Sequence, residues 1–218
     1  MKLSNKYHKI PSVYKRADDH SFLVGDWSIP ELAYLKDNDW VWTEKVDGTN
    51  IRVIWDGERV KFGGRSDEAQ INTNLLLKLQ ELFIYDDAIK WLKDIFVSFG
   101  EKENFEVVFY GEGYGANIQK GGGNYSKDPS FVLFDIMVDG MFLERHNVID
   151  VANKLGLPEV VPVIGHGTLL EAIEYVKKGF LSTWGDFTAE GLVLRPRVEL
   201  LTRKGERIIT KVKVKDFK

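Results

Sequence analysis

The chain has 218 residues with 33 acidic and 30 basic side chains, so its formal net charge is −3, and it contains no cysteine. The absence of cysteine excludes disulfide frameworks, cysteine-ligated zinc, iron–sulfur clusters and a thiol nucleophile. The longest uncharged run, Val160 to Leu170, is shorter than the roughly 20 apolar residues that span a bilayer, and the N-terminus shows no secretory signal, so we expect a cytoplasmic protein.

The first half of the chain predicts strands followed by helices. Alternating apolar residues predict strands over 40–46, 50–55 and 58–62. Asp56-Gly57, between the last two strands, is the turn signal of a β-hairpin. Leucines then recur at helical spacing over 74–99, where we expect two helices, the second capped by Asp86-Asp87.

The second half mixes strands and helices in an order that favours antiparallel pairing. Strands are predicted over 105–110, 131–138, 191–195 and 207–215, and helices over 144–155 and from the N-cap Thr168, with Glu171 in the capping-box position, to Gly179. Hairpins outnumber strand–helix–strand units, which favours a mostly antiparallel α+β fold over a parallel Rossmann sheet. No repeat or linker interrupts the chain, so we expect one domain over 1–218.

Several familiar catalytic motifs are missing. The glycine-rich segments 111–115 and 121–123 lack the spacing of a Rossmann fingerprint or a P-loop, and turn geometry is the alternative explanation for them. The four histidines show no short-range metal-ligand spacing, and no Gly-x-Ser-x-Gly elbow is present.

A lysine in a strand-end turn is the most informative feature. Lys45 ends an apolar strand and enters the Asp47-Gly48 turn, which by itself also fits a solvated lysine in an ordinary hairpin. A lysine becomes a nucleophile when burial or neighbouring cations lower its pKa. The C-terminus can supply cations, because a strand over 207–215 would place three lysines on one face: Lys211, Lys213 and Lys215.

Carboxylates in apolar surroundings complete the candidate site. They are Glu112, Asp135 and Glu190. Each could be a simple turn or strand-end acid. Carboxylates that face lysines also suit a Mg²⁺-nucleotide site, where oxygen ligands hold the metal and cations hold the phosphates.

The order and spacing of these residues resemble the covalent nucleotidyltransferase superfamily, which comprises DNA ligases, RNA ligases and mRNA capping enzymes. Five segments carry the resemblance: Lys45–Gly48, similar to the motif with the AMP-accepting lysine, Tyr110–Tyr114, Phe131–Ile136, Glu190–Arg195 and Lys211–Lys213. Thr49-Asn50 and Gly64-Arg65-Ser66 make the RNA ligase 2 type of T-even phages the nearest match. The resemblance implies an α+β, ATP-grasp-like ligase core of mostly antiparallel sheets flanked by helices.

The resemblance also implies roles for individual residues. Lys45 would attack the α-phosphate of ATP to form lysyl-AMP, and Glu190 would help to hold Mg²⁺ or Mn²⁺. Nucleotide or phosphate contacts are implied for nine further residues: Glu44 and Phe134 at adenine, with Phe131 as the fallback, Glu112 at ribose, Asp47 beside the lysine, Asn50 and Arg65 at the phosphate or an incoming 5′-phosphate end, and Arg195, Lys211 and Lys213 in the last two motifs.

Two residues and the length of the chain depart from the family pattern. Asp47 stands where the nearest RNA ligases often carry histidine, and Arg52 lies two positions beyond the arginine expected in DNA ligases. Family members usually continue into a C-terminal helical or OB domain, and we expect none within residues 1–218.

The activity expected from this resemblance is that of an ATP-dependent RNA, or polynucleotide, ligase. It would transfer AMP to a 5′-phosphate end and seal the strand by attack of a 3′-hydroxyl, with RNA preferred as partner and no membrane involved. Three alternatives remain open at this point: an ATP-dependent DNA ligase, a GTP capping-type guanylyltransferase, and a catalytically inert nucleic-acid-binding subunit.

Overall fold

The structure is a computed structural model that describes residues 5–85, 87–96 and 105–217. Its helices are α1 (Pro30–Leu35), α2 (Thr73–Phe83), α3 (Ala88–Ile95), α4 (Gly122–Tyr125), α5 (Arg145–Lys154) and α6 (Leu169–Lys178), with a 3₁₀ helix at Val214–Phe217. Its strands are β1 (Tyr14–Arg16), β2 (Phe22–Trp27), β3 (Trp40–Glu44), β4 (Thr49–Trp55), β5 (Val60–Gly63), β6 (Val107–Tyr114), β7 (Ser130–Val138), β8 (Met141–Phe142), β9 (Val163–Gly167), β10 (Gly191–Pro196) and β11 (Thr210–Lys213).

The chain divides into two compact units. Unit 1 comprises Met1–Tyr7 and Asp47–Val160, and unit 2 comprises His8–Val46 and Val161–Lys218. The single domain expected over 1–218 stays a prediction. No helix among the described residues combines the length and the apolar character needed to cross a bilayer.

Unit 1 contains an antiparallel sheet with the strand order β5-β4-β6-β7-β8. One face of this sheet packs against α2, α3 and α5 through a core that includes Ile51, Val53 and Trp55 of β4. Successive side chains of a strand point to opposite faces, so Arg52 and Ile54 lie on the other face, where a smaller cluster includes Tyr110 and Met137.

Unit 2 contains an antiparallel sheet with the strand order β11-β10-β3-β9 and the two-stranded ribbon β1-β2. Its core joins the sheet to α1 and α6 through Trp40, Trp42, Leu192, Leu194 and Val212 together with helical side chains. The capping box predicted at the start of α6 is present, with Thr168 and Glu171 bonding each other's backbone N–H. The mostly antiparallel α+β fold is therefore confirmed.

One local prediction is wrong. The C-terminal strand ends at Lys213, because the Asp216 carboxylate accepts the Lys213 backbone N–H (3.0 Å) and the chain turns into the 3₁₀ helix. Lys215 therefore leaves the strand face that Lys211 and Lys213 share. Turn geometry was the alternative explanation for residues 111–115: residues 111–114 belong to β6, whereas Gly115 has a positive φ of 124°. A side chain at Gly111 would lie 2.2 Å from the Phe131 ring, so glycine is required there for packing.

The helices predicted over 74–99 correspond to α2 and α3. Asp87 occupies the N-cap position of α3 without a side-chain cap bond, whereas Asp86 and the predicted end of this helix beyond residue 96 lie outside the described residues.

Candidate functional site

Three charged side chains meet at the end of the sheet of unit 2. Lys45 Nζ lies 2.7 Å from one carboxylate oxygen of Glu190, and Lys213 Nζ lies 2.5 Å from the other. The side chains are partly buried, with 21% of each lysine and 16% of Glu190 exposed. This charged triad carries a net charge of one positive unit and remains open to solvent.

The register of three strands brings the triad together. Leu192 of β10 pairs with Glu44 of β3, and Gly191 pairs with Lys213 of β11. The Lys45 backbone N–H also donates to the Gly191 carbonyl at 2.9 Å. A Cβ at Gly191 would lie 2.1 Å from the Val212 carbonyl, so glycine permits the close approach of β10 and β11 beside Glu190.

The two lysines control the ionisation of Glu190. Burial alone would raise the pKa of its carboxyl group, but the charges and hydrogen bonds of Lys45 and Lys213 outweigh burial and lower the pKa below its usual range. Glu190 is therefore a carboxylate near neutral pH. With one carboxylate between two ammonium groups, the site favours a further anion such as a phosphate.

Two further cations lie on the same face of this sheet. Leu192, Leu194 and Val212 point into the core, so the alternating positions of β10 and β11 point away from it. Arg195, Lys211 and Lys213 occupy these positions, and Lys211 pairs with Val193 across the ladder. Arg195, Lys211 and Lys213 therefore lie on the sheet face that points away from the core of unit 2. Lys45, directly after β3, lies on the same face.

Glu44 lies on the opposite, core-facing side of β3 and is 1% exposed. Its carboxylate accepts hydrogen bonds from the Ser182 hydroxyl (2.5 Å), the Thr183 backbone N–H (2.9 Å) and the Thr183 hydroxyl (2.9 Å). Glu44 thus holds the 182–183 turn, and its contact with adenine stays a prediction. Ser182 and Thr183 are not predicted as site residues, because a Ser-Thr pair between predicted elements carries no specific signal.

In unit 1, two residues that are predicted to contact the nucleotide lie opposite each other on neighbouring strands. Asn50 of β4 pairs with Glu112 of β6, and both are half-buried. The Asn50 Oδ1 atom is buried and has no hydrogen-bond partner among the described residues. Gly48 lets Glu112 approach, since a Cβ there would lie 2.8 Å from Glu112 Cγ. A buried amide oxygen without a partner beside a carboxylate is suited to a polar ligand.

Of the two aromatic candidates for adenine, only Phe134 is accessible. Phe131 is fully buried in the core of unit 1 and packs against Phe83 at a centroid distance of 5.8 Å. Phe134 is half-buried on the other side, with its ring 5.0 Å from that of Tyr7. Stacking by Phe131 would require opening the core, so the fallback is not supported.

Asp47 lies against the triple glycine of unit 1. A Cβ at Gly121 would lie 2.9 Å from the Asp47 carboxylate, and the Asp47 backbone N–H donates to the Tyr125 hydroxyl at 3.2 Å. Gly121, Gly122 and Gly123 do not adopt positive φ, so left-handed turn geometry, the alternative explanation for these glycines, does not apply to them. Gly121 and Gly122 instead allow close packing, since a Cβ at Gly122 would lie 2.1 Å from the Gly115 carbonyl oxygen.

Arg65, the last predicted contact, is exposed in the segment that follows β5. It lies in unit 1, whereas the triad lies in unit 2. The structure thus gathers Lys45, Glu190 and Lys213 in unit 2, and Asn50 and Glu112 in unit 1.

A metal ion would find few protein ligands among the residues that the structure describes. Within residues 5–85, 87–96 and 105–217, no group of three or more His, Cys, Asp or Glu side chains is arranged to hold a metal ion. Glu190 remains the candidate in the triad. Mg²⁺ typically uses one or two protein carboxylates together with substrate phosphates, and this donor set fits that arrangement.

A family model described as RNA ligase matches residues 38–213. The structure is similar to that of a lysine-to-alanine variant of Naegleria gruberi RNA ligase with ATP and Mn, at a TM-score of 0.65 and 18% identity over 98% of this chain and 60% of that one. It is also similar to the Naegleria gruberi enzyme with PPi, at a TM-score of 0.61 and 19% identity over 85% of this chain and 52% of that one. The chain thus spans 60% or less of the length of these two matched chains. At 18% and 19% sequence identity, the structural similarity shows a shared fold and nothing further.

Proposed function

The chain belongs to the RNA ligase family, and from this premise we propose that it is an ATP-dependent RNA ligase that works through a covalent lysyl-AMP intermediate. The observation that carries the proposal is the charged triad, in which Lys45 and Lys213 share the carboxylate of Glu190. A lysine at a strand end, partly exposed and next to a second cation, is placed to meet a nucleotide phosphate.

In the first step the Lys45 ammonium group loses a proton to water, and the neutral amine attacks the α-phosphorus of ATP. A nitrogen–phosphorus bond forms, the bond to the β-phosphate oxygen breaks, and pyrophosphate leaves. Lys213 stabilises the negative charge that develops on the α-phosphate oxygens, with Lys211 and Arg195 as further cations on its face of the sheet.

In the later steps AMP passes from Lys45 to a 5′-phosphate end, and a 3′-hydroxyl then displaces AMP to seal the strand. We assign the adenine contact to Phe134, the ribose contact to Glu112, and phosphate contacts to Asn50 and Arg65. The pairing of Asn50 with Glu112 supports these assignments, because it places the two side chains next to each other on neighbouring strands. The substrate is RNA that carries both kinds of end.

A divalent cation fits the donor set at Glu190. With one protein carboxylate available there, Mg²⁺ or Mn²⁺ would be held jointly by Glu190 and the phosphates of ATP. The ion supplies charge neutralisation at the phosphates. The Naegleria gruberi structures with ATP and Mn, and with AMP and Mn, support this choice of cofactors.

The comparisons give no support to a DNA ligase, a capping-type guanylyltransferase or an inert subunit. The cytoplasmic location stays a prediction from composition.

The proposal is tested by intact-mass spectrometry after incubation with ATP and Mg²⁺, followed by peptide mapping. We expect one AMP on Lys45 and sealing of a 5′-phosphorylated nick in duplex RNA. Labelling by GTP alone would identify a guanylyltransferase, and sealing confined to all-DNA nicks would identify a DNA ligase. No adduct with either Mg²⁺ or Mn²⁺ would identify an inert subunit.

A further inference from the structure

Arg52 is a charged residue buried completely inside unit 1. Its side chain is 0% exposed, and it lies on β4 two positions after Asn50, on the same face of the sheet. A guanidinium removed from water is costly unless its N–H groups are paired. The groups that accept its hydrogen bonds therefore indicate why Arg52 is buried.

Two acceptors of Arg52 lie at the two ends of one short segment. Nε donates to the Gly64 carbonyl at 2.8 Å, and Nη2 donates to the Asp67 carboxylate at 3.0 Å. Between these two anchors lies Arg65. A guanidinium is planar and directs its donors along defined lines, so it can fix both anchors at once in a way that a lysine cannot.

Asp67 is secured from a second side. Its other oxygen lies 3.5 Å from Nζ of Lys6, a side chain that is 53% exposed. Partial burial would raise the pKa of Asp67, but the hydrogen bonds and charges of Arg52 and Lys6 outweigh it and lower the pKa below its usual value. The carboxylate is therefore ionised and paired near neutral pH.

Arg65 itself is exposed and has no hydrogen bond or ion pair with another described residue. The backbone of residues 64–67 therefore sets where the Cα of Arg65 lies and which region its guanidinium can reach. Arg52 anchors this segment through its hydrogen bonds to the Gly64 carbonyl and the Asp67 carboxylate.

We propose that Arg52 and Asp67 are positioning residues that hold segment 64–67 so that Arg65 meets the 5′-phosphate end of the RNA during AMP transfer. The inference rests on the proposed function and deepens it. It assigns a role to Arg52, whose position the family pattern does not explain, and it predicts a defect confined to one chemical step.

The experiment measures two steps separately in single-turnover reactions. The first is formation of lysyl-AMP from ATP, and the second is AMP transfer from purified lysyl-AMP enzyme to a 5′-phosphorylated nicked RNA duplex. The variants are Asp67→Ala, Arg65→Ala and their combination. Lys6→Ala is the matched control, because it removes the solvent-side partner of Asp67 and leaves the Arg52 contacts.

We expect Asp67→Ala to form lysyl-AMP at nearly the wild-type rate and to transfer AMP roughly tenfold or more slowly, since small displacements of a positioning group have large kinetic costs. The double variant should be no slower than Arg65→Ala alone, because both changes remove the same interaction. Lys6→Ala should keep both rates. Arg52→Lys should show the same slow AMP transfer. If Arg52→Lys does not fold, the Asp67→Ala result by itself tests the inference.

Equal loss in both steps, additive losses in the double variant, or normal transfer by Asp67→Ala would overturn the inference. Normal transfer by Arg65→Ala would overturn it as well, since nothing would remain to be positioned. A wild-type protein that forms no lysyl-AMP would instead refute the proposed function, so the two failures are distinguishable.

Discussion

Lys45 and Arg52 are close in the chain, yet their charges are used in opposite ways. Lys45 keeps 21% of its side chain exposed and shares a carboxylate with Lys213. Arg52 has no exposed side-chain surface and contacts a backbone carbonyl and Asp67. The amine of Lys45 is therefore accessible to a substrate. The guanidinium of Arg52 is not accessible, and its contacts instead stabilise the local structure.

The difference shows how a cation's role follows from its partners. An ion pair at a partly exposed position can exchange one partner for a phosphate, because water and a second cation compensate the change. A buried guanidinium that loses an acceptor leaves polar groups without partners in a medium that cannot replace them. Substitutions in the triad should therefore affect the formation of lysyl-AMP, whereas substitution of Arg52 should affect stability as well as AMP transfer.

The largest expected effect is at Lys45. Lys45→Ala should abolish the AMP adduct, because no other side chain supplies the attacking amine, and should leave the fold intact, because Glu190 keeps Lys213. Intact-mass spectrometry and thermal unfolding measure the two properties. Lys61→Ala is the matched control, since Lys61 is also partly buried and ion-paired, with 27% exposed. An adduct on Lys45→Ala would contradict the assignment.

Lys213→Ala should slow lysyl-AMP formation by roughly 10²- to 10³-fold, the usual cost of removing one group that stabilises transition-state charge. The adduct should still form on long incubation, as followed by mass spectrometry over time. Lys215→Ala, in the 3₁₀ helix beyond the strand, should react at nearly the wild-type rate. Equal defects in both variants would place the α-phosphate elsewhere.

Arg52→Met should lower the free energy of unfolding by about 1 to 3 kcal/mol, because the buried Gly64 carbonyl loses its donor while the apolar stem is largely kept. Urea denaturation measures this change. Arg59→Met, at an exposed position of the neighbouring turn, should have almost no effect. Similar losses in the two variants would show that burial of Arg52 has no special consequence.

Ser182→Ala should lower the free energy of unfolding by about 1 kcal/mol, because Glu44 loses one of three hydrogen bonds and keeps the two from Thr183. Thermal unfolding compares it with Thr188→Ala, an exposed position in the same segment. A larger effect on lysyl-AMP formation than on stability would mean that Glu44 also contacts the nucleotide.

The smallest effect concerns the response to acid. The pKa of Glu190 is lower in the folded protein than in the unfolded chain, so its ion pairs stabilise the fold above the ordinary glutamate pKa. This stabilisation is lost as the pH falls through the lowered pKa. The stability difference between wild type and Glu190→Gln should therefore shrink on acidification, as measured by thermal unfolding. A difference independent of pH would show that the pairs contribute nothing.

Much of the local structure could be predicted because its signals lie within a few residues. Asp56-Gly57 marks a hairpin turn, and Thr168 with Glu171 marks a helix start, since both depend on contacts between near neighbours. The order of the motifs also pointed to Lys45, Glu190 and Lys213 as a functional set. The strand predicted over 207–215 ends too late, because its end depends on the contact between Asp216 and the Lys213 backbone. The alternation of apolar and polar residues does not indicate such a contact.

The sequence by itself determined the fold class, the family motifs and the residue types of the candidate site, because hydrophobic alternation and motif spacing are properties of the chain. Only the tertiary structure decided which charges are paired. The contact between Lys45 and Glu190 joins residues 145 positions apart, and that between Glu44 and Ser182 joins residues 138 positions apart. Such contacts depend on strand register and on backbone approach at Gly191, and neither is encoded within a local window.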